Sequence, residues 1–397
     1  MAPEKKLNVL MITGVYLPEI NGAVLQCSQL INNLGKAVNF SVLTGTNDES
    51  TYGCVDVDGV SVTRVFMPKR RKFKYIIGAA WFYIQLIRKL RKADLVHVHG
   101  FSKRNTIVIA ISRILQKKVL LKMTSYGYDD PMTIKSGSHI LWKLFKCCHA
   151  YIGISPAFLV SYRKAGLSED RFSFIPNGVD LARYFPVSLN EKISLRDKYG
   201  FAAHDKVIVF IGHFSPEKRP MLIYRAWVKL CDQNIGARLI FIGHTRHHFE
   251  VDESIIESIR QDAFQRGILP LINFVEETPH VDEYMKVADV FVLPSIREGL
   301  PNVLLEAMAC ALPCVVSDLP GVTDWLIDDG VTGVLFRSDD PDVLAGKISP
   351  YFAEHGNQQK MGLAARHFME SNFSGASTSQ KVFDLYRLIM GQTSRAL

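Results

Sequence analysis

The chain has 397 residues, of which 48% are apolar and 22% charged, with no low-complexity tract; this excludes a disordered or fibrous chain and is large for one core, so two domains of ordinary size are expected. The net charge of +8 is unevenly placed. Residues 1–180 carry 25 Lys and Arg against 12 Asp and Glu, a balance of +13, and the remainder carries 22 against 27, a balance of −5. The basic excess of the first half points to an anionic partner, and no binding motif for nucleic acid accompanies it.

Met1–Lys6 is charged and polar, and the apolar run Leu7–Ile12 is too short for the core of a secretory signal. The nearest approach to a membrane span, Tyr75–Ile87, stops well short of the ~20 residues required. Seven cysteines (27, 54, 147, 148, 231, 310 and 314) form no CxxC pair and read as reduced thiols of a cytosolic protein.

Leu7–Ile12 reads as a buried strand, Thr13–Gly22 as a loop and Ala23–Leu34 as an amphipathic helix. Gly22 then stands where backbone can approach a phosphate or acceptor group, or simply makes a turn. Phe40–Thr44 is the next strand. Val55–Val65 alternates around Asp58-Gly59 and predicts a hairpin. The pair Asp56 and Asp58 accordingly reads as turn chemistry rather than a metal site. In Pro68–Lys92, the cations Lys69, Arg70, Arg71, Lys72 and Lys74 precede an aromatic apolar run with Trp81, Phe82 and Tyr83, and Arg88, Lys89, Arg91 and Lys92 follow. Such a helix either packs on the sheet with solvated ends or lies on an anionic membrane face, and the charge asymmetry favours the membrane.

Asp94–Gly100, DLVHVHG, is a strand that delivers His99 at its carboxyl end. His97 and His99 share a face, but no third ligand stands at a metal-binding spacing, and His97 reads as a core residue. Asn105–Leu115, Lys118–Thr124, the loop Ser125–Asp130, Ala150–Ser155 and Phe172–Ile175 continue the α/β alternation. Ile175–Pro186 (IPNGVDLARYFP) is a turn-rich connector, placing a boundary near Asp180.

In the second half Val207–Ile211 is a strand, Gly212–Pro220 (GHFSPEKRP) a loop, and a helix runs to about Gln233. Arg238–Gly243 is a strand, and His244, His247 and His248 behind it read as solvated loop residues. A strand at Ile272–Phe274 and a helix at His280–Ala288 lead to Val290–Leu293, a strand followed by Arg297, Glu298, Gly299 and Leu300. Pro301 stands where a helix starts, Asn302–Cys310 is helical, and Pro313–Ser317 is a second buried strand. Gly333–Phe336 forms an edge strand, and helices follow from Pro341, the last at Ser377–Met390. In open parallel sheets ligands sit beyond the carboxyl ends of strands, at helix N-termini that attract phosphate. Glu298 and Glu306 frame one such start, and carboxylates suit the vicinal hydroxyls of a sugar or ribose. An ordinary βαβ unit with two surface glutamates has the same pattern.

The run REGLPNVLLEAMACALPCVVSDLPGVTDWLIDDGVTGVLF, Arg297 to Phe336, resembles the donor-binding motif of glycosyltransferase family 4, which are retaining, metal-independent enzymes. The resemblance implies an α/β GT-B fold of two Rossmann-like domains facing each other across a cleft. Residues 1–180 would bind acceptor, residues 181–376 would bind donor, and a helix at about 377–397 would cross back to the first domain. It implies catalytic roles for His99, Lys218 and Glu298. Glu298 would contact the donor sugar, Glu306 the ribose, and Gly299, Leu300 and Pro301 the sugar and diphosphate through backbone. Gly212, His213 and Lys218 resemble a second phosphate loop, with Lys218 at the diphosphate, and Gly22 resembles the first-domain glycine loop. Three departures are Asn21 before Gly22, His213 in place of Arg, and Ala311 in place of a helix-ending Gly.

The implied activity moves a sugar from a nucleotide diphosphate sugar, a UDP-sugar before a GDP-sugar, to an acceptor hydroxyl. A glycan or lipid-linked glycan of cell-envelope polysaccharide synthesis is the expected acceptor. No metal or cofactor is expected, and the location is cytoplasmic, with peripheral contact to the inner membrane face through residues 69–92. An epimerase or hydrolase of the same fold, or a non-catalytic nucleotide-sugar-binding protein, stays open.

Overall fold

Short apolar runs rich in Val, Ile and Leu become strands buried on both faces, which is the pattern of a parallel sheet covered by crossover helices. The computed structural model describes residues 6–19, 21–68, 71–245, 251–352 and 356–392, and the chain divides into two units, Met1–Gly178 with Gly375–Leu397, and Val179–Ser374. Each is a Rossmann-like α/β layer structure.

The first unit holds β1 (Leu7–Ile12), β2 (Val38–Thr46), β3 (Gly53–Val57), β4 (Val60–Phe66), β5 (Leu95–His99), β6 (Lys118–Lys122), β7 (Ala150–Gly153) and β8 (Phe172–Phe174) in the order β3-β4-β2-β1-β5-β6-β7-β8. All neighbours are parallel except the hairpin of β3 and β4. Asp58 and Gly59 at its tip both take positive φ, and Asp56 accepts a hydrogen bond from the Gly59 N–H at 2.8 Å, so this carboxylate serves the turn. The last helix, Gly375–Ile389, packs on the helix Gly22–Leu34: Asn33 Nδ2 donates to the Gly375 carbonyl at 3.1 Å and to Ser379 Oγ at 2.9 Å.

The second unit holds β9 (Lys206–Ile211), β10 (Ala237–Ile242), β11 (Ile272–Val275), β12 (Val290–Leu293), β13 (Cys314–Ser317) and β14 (Val334–Phe336), all parallel, in the order β11-β10-β9-β12-β13-β14. Phe210, Phe214, Trp227 and Phe241 anchor its core. In each sheet the strand order reverses once, between β1 and β5 and between β9 and β12. Loops leaving the carboxyl ends of those pairs diverge, and a crevice opens there.

The helix after β12 runs Asn302–Ala309, and Pro301 is its capping residue rather than its first helical one: its carbonyl accepts from the N–H groups of Leu304 and Leu305. The other end closes in a Schellman turn. Leu312 N–H donates to Ala307 and Ala311 N–H to Met308, both at 3.0 Å, with Ala311 at φ 55°. Gly362, on the helix Gly356–Asn372, lies so close that a Cβ there would overlap the Ala311 carbonyl. The left-handed backbone costs an L-residue ~1–2 kcal/mol, of which the greater unfolded freedom of glycine returns ~0.5–1 kcal/mol. Ala311→Gly should therefore raise the melting temperature by about 2–4 °C, and Gly362→Ala should lower it; calorimetric melts in which Ala311→Gly melts lower would contradict this strain.

Candidate functional site

The switch point of the second unit is where two sequence-distant loops join. The loop after β9 turns tightly: Ser215 N–H donates to the His213 carbonyl at 2.9 Å, and the N–H groups of Lys218 and Arg219 donate to the Ser215 carbonyl at 3.2 Å. Arg219 then adopts a left-handed conformation, φ 54° and ψ 47°, immediately before Pro220 opens the next helix. The loop after β12 lies alongside. Ile296 N–H donates to the Glu217 carbonyl at 2.9 Å, the Arg297 guanidinium pairs with the Glu217 carboxylate, and Arg219 reaches the Pro294 carbonyl at 3.5 Å. Between these cross-links the Lys218 ammonium donates to Glu298 Oε1 at 2.6 Å.

The structure thus brings together Lys218 and Glu298, eighty positions apart in sequence. The Glu298 side chain is 9% exposed and that of Lys218 25%, so this charge pair faces the crevice from a mostly buried position. Gly299 follows, and Leu300 and Pro301 are buried beneath the positive end of the helix Asn302–Ala309. Gly212 N–H donates to Ile242 at 2.9 Å, and Gly243 (φ 151°) passes so near that a side chain there would overlap the Gly212 carbonyl. His213 occupies the same loop, its ring stacked on His244 with centroids 5.9 Å apart. His244 pairs with Glu277 at 3.2 Å, and His247 and His248 lie outside the described residues. Among the described residues no group of three His, Cys, Asp or Glu has a metal-binding arrangement.

Glu306 lies one turn along the helix, against Tyr184, with Arg183 and Asp282 nearby. Burial pushes its carboxyl up to about 7, opposed by the Arg183 charge and the Tyr184 hydrogen bond. Arg183 is itself held by Asp282 at 3.1 Å, and Lys286 donates to Asp282 at 3.0 Å. Sequence pattern did not single out Tyr184, Arg183 or Arg219, because no spacing rule links them to the motif they touch.

In the first unit His99 ends β5 and Gly22 begins the helix after β1, so both stand at the other switch point. Asn21 caps that helix, its Oδ1 accepting from Val24 N–H at 2.9 Å. His99 is buried, with no hydrogen-bond partner on either ring nitrogen, and burial with the nearby Lys122 charge pushes it down to about 3, so it is neutral. His97 lies against it with ring centroids 4.4 Å apart and the rings tilted by 31°, and shares a 2.7 Å hydrogen bond with Tyr386, a core role. Asp129 ties the β5 and β6 loops together, accepting from the N–H groups of Thr124 and Ser125 at 2.8 Å and of Phe101 at 3.3 Å.

The helix Lys72–Leu90 has two apolar faces. Gly78, Phe82, Leu86 and Leu90 are buried, while Phe73 is 77% and Ile76 65% exposed, and Ile77, Trp81, Ile84 and Ile87 are exposed with them. Lys72, Lys74, Arg88 and Lys89 flank this outer face; Lys69 and Arg70 lie outside the described residues. Among the described residues no helix is long and apolar enough to cross a membrane.

Comparison with known proteins bears on the family and the fold. The family model for glycosyl transferases group 1 matches residues 191–368, and that for Glycosyltransferase Family 4 matches residues 20–183. A D-inositol 3-phosphate glycosyltransferase of Nocardia farcinica is 27% identical over 227 residues, 56% of this chain and 48% of that one. A UDP-Gal:alpha-D-GlcNAc-diphosphoundecaprenol alpha-1,3-galactosyltransferase of Escherichia coli is 26% identical over 291 residues, 71% of this chain and 73% of that one. The matched stretch therefore spans about half of the first relative and about three quarters of the second. The crystal structure of Anabaena Alr3699/HepE with UDP and glucose has a TM-score of 0.76 over 96% of this chain and 100% of that one, at 16% identity, a likeness of fold. With both halves matched and both Rossmann-like units in place, the chain belongs to glycosyltransferase family 4 and has the GT-B fold.

Proposed function

We propose that this protein transfers a sugar from a nucleotide diphosphate sugar, a UDP-sugar first, to a hydroxyl of a glycan or lipid-linked glycan of the cell envelope, with retention of configuration and without a metal. The observation that carries this reading is the Lys218–Glu298 pair at the second switch point, beside a helix N-terminus. Cleavage of the anomeric C–O bond builds positive charge on the sugar and negative charge on the departing diphosphate. A fixed ammonium and a helix dipole answer the second charge without reorganisation, and the carboxylate released from Lys218 is placed to accept from sugar hydroxyls. Glu306 holds the ribose, and His99 offers the substrates a neutral imidazole. The uridine nucleotide and the lipid-diphosphate acceptor are supported by the names of the E. coli relative and by the UDP in the HepE complex.

The basic, outward apolar face of Lys72–Leu90 fits an anionic membrane surface, where a lipid-linked acceptor resides. A cytoplasmic protein held peripherally on the inner face is the corresponding location.

Lys218→Ala and Glu298→Gln should each lower kcat/KM for transfer by about 10²–10³ while the protein still folds and melts cooperatively, at a lower temperature because the pair is broken. Full turnover in either would remove that residue from the site, and product formed from donor alone at the same rate would favour a hydrolase or epimerase. Glu306 supplies a pH signature. Its folded value, about 7, lies above the ordinary 4.5, so the stability it contributes is complete below pH 4.5 and is lost as pH rises through 7. Ribose hydroxyls favour the ionised carboxylate, so UDP-sugar binding should tighten from pH 6 to 8, and Glu306→Gln should flatten that slope in calorimetric titrations; equal slopes would exclude the ribose contact. Binding to vesicles containing phosphatidylglycerol should fall at least tenfold when Phe73 and Ile76 are changed together to Ser, and unchanged binding would place the membrane contact elsewhere.

A further inference from the structure

The first unit contains a buried charge that the mechanism above does not use. Lys122 is the last residue of β6 and lies directly across from His99 in the β5–β6 register, so both side chains share one face of the sheet. That face is covered by the helices Gly22–Leu34 and Gly375–Ile389, which contribute Cys27 and Tyr386. Lys122 is only 7% exposed, and among the described residues no carboxylate pairs with its ammonium. The titratable groups that face it are Cys27 from the first of these helices and His99 and His97 from β5, with Tyr386 behind His97; Tyr16 faces Cys27. None is an anion at neutral pH: burial pushes Cys27 up to about 12 and holds Tyr386 well above its ordinary value. Burial also pulls Lys122 down to about 8, which leaves it mostly charged at pH 7.

A buried, unpaired cation is costly unless an anion completes it. Beside it are both unpartnered nitrogens of His99 and the Nε2 of His97, polar atoms that a hydrogen-bonding ligand would satisfy. The site stands at the carboxyl ends of β5 and β6, next to the first unit's switch point, where ligands enter such sheets. The donor's diphosphate has its own lysine in the second unit.

We propose that Lys122, with His99 beside it, forms a subsite for an anionic group on the acceptor: a carboxylate or a phosphate oxygen docked between the ammonium and the imidazole. This deepens the glycosyltransferase reading and rests on it. The substrate class it selects is an acidic acceptor, with the anion supplied either by a uronic-acid residue or by a sugar-diphosphate lipid. Lys122 acts here in acceptor choice, and its loss should leave donor chemistry intact.

The test uses the full-length protein and three acceptor probes: a glucuronide, the corresponding neutral glucoside, and a short prenyl-diphosphate-linked N-acetylglucosamine. Sugar transfer to the neutral glucoside, followed as acceptor-dependent UDP release from UDP-sugars, reports the parent reading separately. In Lys122→Met the dissociation constant of an anionic probe should rise at least tenfold, while the glucoside and UDP release change less than twofold; Lys122→Arg should retain most of the preference. Loss confined to the glucuronide assigns a carboxylate, and loss confined to the diphosphate probe assigns a phosphate; either supports the subsite. Equal loss for charged and neutral probes, or a wild type that prefers neither anion over the glucoside, overturns it. Should Lys122→Met fail to fold, the wild-type protein still decides: its preference for the anionic probe should decline between pH 7 and 9, and a flat preference overturns the proposal. Absence of acceptor-dependent UDP release from every donor, with the anion preference in binding intact, would count against the transferase reading alone.

Discussion

A lysine and a glutamate, 2.6 Å apart, hold the second unit's crevice in its charged form. Each would be expensive to bury alone, and breaking a fully buried pair costs about 3–5 kcal/mol, less here because Lys218 is partly exposed. Their pairing offsets both charges while keeping an ammonium and a carboxylate at the mouth of the sheet. Around them, the Glu217 backbone and carboxylate bond to Ile296 and Arg297, and Arg219 reaches Pro294. These contacts join the β9 and β12 loops, so the charges sit on a braced frame rather than on two independent loops. In the proposed function, a diphosphate entering the crevice would compete for the ammonium and leave the carboxylate to a sugar.

The fold was legible because parallel strands buried on both faces announce themselves as apolar runs, and loops with Gly and Pro separate them. The loops bearing Lys218 and Glu298 were legible as pieces, each following a strand. Their meeting was not: it depends on β9 and β12 being neighbours, a consequence of strand order that no local spacing encodes. Ala311 was readable as a departure at a helix end, and its positive φ follows from the same capping geometry. By contrast Glu306 against Tyr184 joins the motif helix to the connector that opens the unit, and Lys122 meets His99 only through the β5–β6 register. The helix Lys72–Leu90 was ambiguous for a different reason. Its apolar residues cover two faces, and only burial separates Phe82 in the core from Phe73 in solvent.

The two units use their switch points differently. In the second, opposite charges are paired and mostly buried. In the first, a lysine with no paired carboxylate among the described residues lies beside His99, which has no hydrogen-bond partner, and His97, which is bonded to a neutral tyrosine on one nitrogen only. Paired charge suits a ligand that exchanges partners, whereas unpaired buried charge suits one that brings its own counter-ion. This division follows from which residues end β5 and β6 and which residues follow β9 and β12.

The proposed exchange at Lys218 is tested most directly by calorimetric binding of UDP and of UDP-sugars to the wild type and to Glu298→Gln. Removing the carboxylate frees the ammonium for the diphosphate, so UDP should bind Glu298→Gln as tightly as the wild type or more tightly, while the UDP-sugar loses affinity. If Glu298→Gln weakens UDP as much as the UDP-sugar, the ammonium is not handed from carboxylate to diphosphate, and the pair is a structural bridge only.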